Sequence, residues 1–211
     1  MKTITAIHHK VLAVALAFFC ASSAVADDGN VRVTQARKVE NFHAINIVTV
    51  GNIYFTQGDT YSLRLEGKEK YVNNTTTTVS DGGTLTIGYK SKKPMRGNNN
   101  GIDIYLTAPT LDDLRFTGVG SFCCEKGLKL EGDLSIHLSG VGQVDIDDLR
   151  CRDLDLHVSG VGDAKVKVNC EHVDATMSGV GNITLRGRAK TANLHRSGIG
   201  DLDSDGLEVE E

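Results

Sequence analysis

The sequence predicts an all-β protein: a single-domain, right-handed parallel β-helix with coils of about 19–22 residues. Three observations carry this. The tetrapeptide Ser139-Gly140-Val141-Gly142 has four relatives: Thr117-Gly118-Val119-Gly120, Ser159-Gly160-Val161-Gly162, Ser178-Gly179-Val180-Gly181 and Ser197-Gly198-Ile199-Gly200, with successive starts 22, 20, 19 and 19 residues apart. Such a period marks a solenoid, each repeat being one turn of a stacked coil. Between the tetrapeptides apolar residues alternate at spacing two, the signature of strands with one buried face. No stretch beyond the leader sustains a 3.6-residue period, so essentially no helix is expected.

Residues 1–26 read as a cleaved export signal. Lys2 and Lys10 supply the positive segment, Val11 to Phe19 is uninterruptedly apolar, and Ala24-Val25-Ala26 is an A-x-A cleavage site. The apolar run is shorter than the ~20 residues that cross a bilayer, so no membrane span is expected after cleavage. Phe19 is too bulky for a lipobox ahead of Cys20, so lipidation is not expected. Cleavage leaves 185 residues, enough for one domain with a sizeable core, and takes the formal charge from −4 to −6. A mildly acidic chain of this kind argues against nucleic acid as a partner.

Residues 27–116 form irregular N-terminal coils. Ile45/Ile47, Ile53/Phe55, Leu63/Leu65, Leu85/Ile87 and Ile102/Ile104/Leu106 alternate within short runs, separated by Gln57-Gly58-Asp59, Asp81-Gly82-Gly83 and the loop around Lys92 to Gly101. That loop is basic, polar and broken by Pro94; it is either a solvated surface insertion or a binding loop. Val50-Gly51-Asn52-Ile53-Tyr54-Phe55 aligns with Val180-Gly181-Asn182-Ile183-Thr184-Leu185, which predicts a diverged coil corner at residue 51.

Residues 117–200 are the regular coils. Leu134/Ile136/Leu138, Leu154/Leu156/Val158, Val173/Ala175/Met177 and Ala192/Leu194 precede successive corners, while Phe122/Cys124, Val144/Ile146, Ala164/Val166, Ile183/Leu185 and Leu202 follow them. Parallel stacking about 4.8 Å apart merges these into a continuous aliphatic column, and parallel crossovers overwhelmingly take the right hand. The structural corners are Gly118, Gly120, Gly140, Gly142, Gly160, Gly162, Gly179, Gly181, Gly198 and Gly200. Paired glycines permit tight backbone there, Ser or Thr can bond a neighbouring backbone group, and Val141, Val161, Val180 and Ile199 are expected to point into the stack. Residues 201–211, with Asp201, Asp203, Asp205, Glu208, Glu210 and Glu211, form an acidic C-terminal cap against end-to-end stacking.

Phe42 through Val50, Gly51-Asn52-Ile53, Gln57-Gly58-Asp59, Leu85-Thr86-Ile87, Ala108-Pro109-Thr110-Leu111 and the Ser-Gly-Val-Gly corners together resemble the head GIN domain family of auto-transporter adhesins, common in secreted proteins of Bacteroidetes-type bacteria. The resemblance covers nearly all of the mature chain and implies a secreted β-helix-like fold with an adhesive role. It brings no catalytic residues. No barrel-forming segment precedes Glu211, so self-translocation is not expected.

Two outward ladders flank the corners. His137, His157 and His195 sit two residues before a corner, with Thr176 in the intervening coil and Arg115 ahead of them. Stacked imidazoles are candidate ligands for a transition metal, but like residues also stack on an exposed strand with no ion. No cysteine or carboxylate completes the set, so no metal and no cofactor are assigned. Ser121, Gln143, Asp163, Asn182 and Asp201 form the second ladder. A period of about twenty does not match the nonapeptide calcium roll, so side-chain stacking is the expected role. Cys151 and Cys170 each lie eight residues before a corner and should stack inward, either as a disulfide or as two buried thiols; Cys123 and Cys124 should face opposite ways. No nucleophile elbow, H-E-x-x-H or P-loop is present.

The expected function is that of an exported, non-enzymatic envelope protein, adhesin-like or ligand-binding, located in the periplasm, on the outer surface or outside the cell, with an envelope protein or glycan as partner. The alternatives are a carbohydrate-active β-helix enzyme or polysaccharide-binding protein, and a structural or oligomeric envelope component. Five Tyr, six Phe (two in the leader) and no Trp leave few sugar platforms, which disfavours the enzyme.

Overall fold

The computed structural model describes residues 31–90 and 101–210. The export segment and most of the Lys92–Gly101 loop lie outside the described residues. In chain order the N-terminal elements are β1 (Arg32–Arg37), β2 (Ala44–Ile47), β3 (Val50–Gln57), β4 (Ser62–Lys68), α1 (Glu69–Asn74), β5 (Thr75–Val79), β6 (Thr84–Tyr89) and β7 (Ile102–Ala108). The regular part contains β8 (Asp113–Phe116), β9 (Val119–Cys124), β10 (Leu128–Lys129), β11 (Leu134–Leu138), β12 (Val141–Arg150), β13 (Asp153–Val158), β14 (Val161–Met177), β15 (Val180–Arg196) and β16 (Ile199–Val209). They form one continuous sheet that winds as a β-helix-like solenoid.

Two parallel stacks meet at the glycine corners. Before the corner, β6, β2, β8, β11, β13 and the second halves of β14 and β15 lie in that order; after it come β7, β3, β9, β12, the first halves of β14 and β15, and β16. The register brings like onto like. Leu85, Ile45, Leu114, Ile136, Leu156 and Ala175 make one inward column, and Ile104, Ile53, Phe122, Val144, Ala164 and Ile183 another, all essentially inaccessible to solvent. Burying one such aliphatic side chain contributes roughly 1.5–3 kcal/mol, so these columns are the main source of stability.

The first coil in sequence is not the first in space. β2 lies between β6 and β8, and β3 between β7 and β9, so the chain leaves the stack after β3, forms β4, α1 and β5, and rejoins one level further out through β6 and β7. The alignment of residue 51 with residue 181 holds: Val50, Gly51 and Asn52 lie against Val119, Gly120 and Ser121. Not every pairing is parallel, since β4 pairs antiparallel with both β1 and β7, and β5 with β6. These antiparallel strands cover the N-terminal edges of the stacks, which would otherwise offer unpaired backbone groups.

The described residues hold one short helix, α1, in keeping with the expectation of essentially no helix. Its one and a half turns bury adjacent Tyr71 and Val72, a pattern too short to show a 3.6 period. Thr75 closes it: its Oγ1 donates to the Tyr71 carbonyl at 2.9 Å, and its backbone N–H to the carbonyls of Tyr71 and Val72.

The corners are held by direct backbone stacking. Ser159 N and Gly160 N both donate to Leu138 O at 2.9 and 3.1 Å, and Val161 N donates to Gly140 O at 2.9 Å. This brings coils so close that a Cβ on Gly160 would sit 2.1 Å from Gly140 O and 2.6 Å from Ser139 C. At Gly181 the same obstacle, 1.9 Å to Gly162 O, is joined by a φ of +143° that side chains rarely adopt. The corner valines point the opposite way from the expectation. Val141 is 50 % exposed, Val161 51 % and Ile199 73 %, with Val180 also exposed. Strand alternation explains it: Val144 and Ile146 face inward, so Val141 shares the outward side of Gln143 and Asp145.

Ion pairs stitch neighbouring coils on the outside. Arg152 Nη2 approaches Asp133 Oδ2 at 2.6 Å, Lys190 Nζ approaches Glu171 Oε1 at 2.7 Å, Arg188 Nε approaches Glu208 Oε2 at 2.8 Å, and Arg186 pairs with Asp203. The hydrogen bonds from Arg152, Lys190 and Arg186 hold the carboxyls of Asp133, Glu171 and Asp203 below their ordinary pKa values.

Two predictions follow from the corner and the ion pairs. Gly160→Val should destabilise by about 3 kcal/mol or more, lowering Tm by roughly 6–12 °C, while Val161→Thr should stay within about 0.5 kcal/mol of wild type; equal melting of the two variants would refute the corner account. Because the folded-state pKa values of the three carboxyls are depressed, their stabilisation is complete above the ordinary carboxylate range near pH ~4 and is lost as pH falls through the lower folded-state values. The triple variant Asp133→Asn/Glu171→Gln/Asp203→Asn should therefore melt below wild type at pH 7 and converge with it in acid, and a gap independent of pH would count against the pairs.

Candidate functional site

The most distinctive surface is the ridge built by the corners themselves. Val119, Val141, Val161, Val180 and Ile199 stand one above another, each exposed, at the spacing of hydrogen-bonded parallel strands, about 4.8 Å. Thr117, Ser139, Ser159, Ser178 and Ser197 run beside them, also exposed. Together with the first glycine of each corner they line a shallow groove of about 620 Å³. Of the five, Thr117 makes the hydroxyl–backbone bond anticipated for this position, its Oγ1 donating to Ile47 O at 3.1 Å, and among the described residues the four serines do not. The backbone of the groove is fixed by the ladder, so an incoming molecule would meet a preformed surface. Sequence reading placed the valines inside; counting the alternation backward from Val144 would have placed them outside.

On one flank of the ridge, Arg115, His137, His157, Thr176 and His195 lie in register as anticipated. The rings of His137 and His157 stack with centroids 5.2 Å apart and planes 1° from parallel. Each reaches sideways to its own strand: His137 Nε2 lies 3.0 Å from Ser135 Oγ, and His157 Nε2 lies 3.0 Å from Asp155 Oδ1. Parallel rings engaged in this way do not aim their nitrogens at one point, and Thr176 separates His157 from His195. Among the described residues no three His, Cys, Asp or Glu side chains gather as a metal site. The next outward column is Asp113, Ser135, Asp155, Asp174 and Asn193, so this flank is a flat polar face that mixes carboxylates with imidazoles.

The other flank carries Asp103, Asn52, Ser121, Gln143, Asp163, Asn182 and Asp201 in register. Its members bond to one another. Asn52 Nδ2 donates to Asp103 Oδ1 at 3.2 Å, Ser121 Oγ donates to Asn52 Oδ1 at 3.0 Å, and Asn182 Nδ2 donates to Asp163 Oδ1 at 2.9 Å. The adjacent column presents Arg64, Tyr105, Tyr54 and Cys123. Tyr54 and Tyr105 stack at 5.1 Å with the Arg64 guanidinium 4.0 Å above Tyr105, which covers both faces of the Tyr105 ring. Burial, together with the Asp103 charge, raises the Tyr54 pKa, and burial also raises that of the half-buried Cys123.

The remaining predicted positions are inside the coil. Cys151 and Cys170 stack inward with Sγ atoms 2.7 Å apart, both buried. Cys124 faces the core while Cys123 faces out, and burial pushes the Cys124 thiol up to about 11. No helix among the described residues is long and apolar enough to cross a membrane.

Comparison with known proteins agrees with this architecture. A crystal structure from Bacteroides fragilis, described as a "putative adhesin", is 28 % identical, covering 82 % of this chain and 96 % of that one, with a TM-score of 0.68. A structure from Parabacteroides distasonis described as a "putative lipid binding protein" matches at 23 % identity over 86 % of this chain and 76 % of that one, TM-score 0.73. A third, a "putative adhesin" from the same species, matches at 20 % identity over 85 % and 76 %, TM-score 0.74. These last two show likeness of fold alone. No curated protein matches the chain. The model of the family described as "putative auto-transporter adhesin, head GIN domain" matches residues 41–211, almost the whole described solenoid, and the chain belongs to that family.

Proposed function

We propose that this protein is an exported, non-enzymatic module of the bacterial envelope that holds an envelope protein or glycan along its corner ridge. The observation that carries the reading is the row Val119, Val141, Val161, Val180 and Ile199 on the outside of the coil. These side chains do not serve the core, and the corner backbone is satisfied without them, so Ser or Thr would fill the same positions at lower cost in exposed apolar area. A regular, exposed apolar row edged with hydroxyls is a contact surface of the kind that binding proteins present. Its rigidity removes the ordering cost that a loop would pay on binding, and its repetition suits an extended partner that makes the same contact several times. Lys2, Lys10, the Val11–Phe19 run and Ala24-Val25-Ala26 support export, and the adhesin family membership supports an envelope setting. The polar flanks offer hydrogen-bonding groups beside the ridge.

The test uses Val141→Lys/Val161→Lys/Val180→Lys, which places charge on the ridge without touching the core. The variant should melt like wild type but bind intact bacterial cells and an array of envelope polysaccharides at least tenfold more weakly. Undiminished binding would remove the ridge from the function. Release of reducing ends from any bound polysaccharide would overturn the non-enzymatic reading.

A further inference from the structure

We propose that Cys151 and Cys170 form a disulfide that staples one coil of the solenoid to the next. Cys151 follows β12 directly, where the chain has left the ladder after Arg150, and Cys170 lies within β14 on the coil above. The preceding residues, Arg150 and Asn169, are in register, so the two cysteines are held level by strand pairing on their N-terminal side. Both side chains turn into the coil, and their sulfurs approach to 2.7 Å. Closing that gap to a bond of about 2.04 Å needs only a small side-chain adjustment. Ala189 follows in the same column on the next coil, which leaves room for two sulfurs. Adjacent strands of a regular parallel ladder direct their Cβ atoms alike, which hinders bonding; here Cys151 lies past the end of its strand and is free of that restriction.

The shared hydrogen bond between the thiols lowers the pKa of Cys170 and raises that of Cys151, with burial adding to the rise at Cys151. Either thiol can open the exchange once ionised; with Cys170 first, the steps run in this order. The Cys170 thiolate attacks one sulfur of an external disulfide, supplied by a thiol–disulfide oxidoreductase of the export compartment, and expels the other sulfur as a thiolate. The Cys151 thiol then loses its proton and attacks the mixed disulfide at Cys170 Sγ, releasing the oxidoreductase as a dithiol. Two protons and two electrons leave the protein and reduce one disulfide of the oxidant. The presence of the bond in the cell rests on the export reading; the chemistry of the pair does not.

The full chain is refolded in a buffer of glutathione and glutathione disulfide, alkylated without reduction, and examined by intact mass and peptide mapping. The expected product lacks two hydrogens and yields one peptide pair joined through Cys151 and Cys170, with Cys123 and Cys124 alkylated. It should melt on the order of 10 °C above the Cys151→Ala/Cys170→Ala variant, and dithiothreitol should abolish that difference. Four alkylated cysteines after refolding, or a bonded protein that melts with the double variant, would overturn the staple. In a second arm, cells expressing the full chain are quenched in acid and alkylated. The joined peptide from these cells supports both the staple and export, whereas free thiols there beside a bond in the refolded protein would sink the export reading and leave the pair's chemistry established.

Discussion

Everything in this solenoid depends on how closely one coil can lie on the next where the chain turns. At the corners the ladder hydrogen bonds continue without a break, so backbone packs on backbone with no side chain between. Any Cβ on the two corner glycines would enter the carbonyl of the coil beneath. Glycine is thus demanded by contact between coils more than by the turn within one coil. The diverged corner shows the limit of the rule. Thr49 occupies the place of Gly118, and its carbonyl is the one that a Cβ on Gly118 would meet, at 2.0 Å.

Once the corners set the spacing, side chains sort by column. Inward columns merge into an aliphatic core, and outward columns become ladders of like groups: histidines on one flank, amides and carboxylates on the other. Stacking in register answers the problem that repetition creates. A column of carboxylates alone would repel itself, and here Asn182 donates to Asp163, Ser121 bonds Asn52, and arginine or lysine from a neighbouring coil neutralises Asp133, Glu171 and Asp203. Of the candidate ligands, His137 and His157 are already engaged with their neighbours. That leaves the corner ridge, whose apolar groups have no partner within the coil, as the surface with the clearest unspent interaction.

The N-terminal half solves a different problem. A stack of parallel strands has an open edge, and the chain closes it by reversing direction. β4 adds antiparallel to β7 and β1 antiparallel to β4, β5 adds to β6, and the short helix packs Tyr71 and Val72 into the core cluster. Irregular sequence there reflects that task, since a capping segment cannot repeat the coil it terminates.

From the sequence alone, the class of fold, the coil length, the corner positions, the register of both ladders, the inward stacking of Cys151 and Cys170 and the equivalence of residues 51 and 181 can be read. All of these follow from periods of two and of about twenty, which local chemistry imposes on any strand and any stacked repeat. Tertiary structure decided what no period encodes. The insertion of β2 and β3 between later strands depends on which edges pair, the antiparallel cap depends on chain reversal, and α1 is too short to leave a periodic trace. The outward turn of Val141, Val161, Val180 and Ile199 was latent in the alternation, but apolar chemistry argued the other way. Stacking resolved it, because the corner backbone fills the space between coils and leaves the valine side chains only the solvent side.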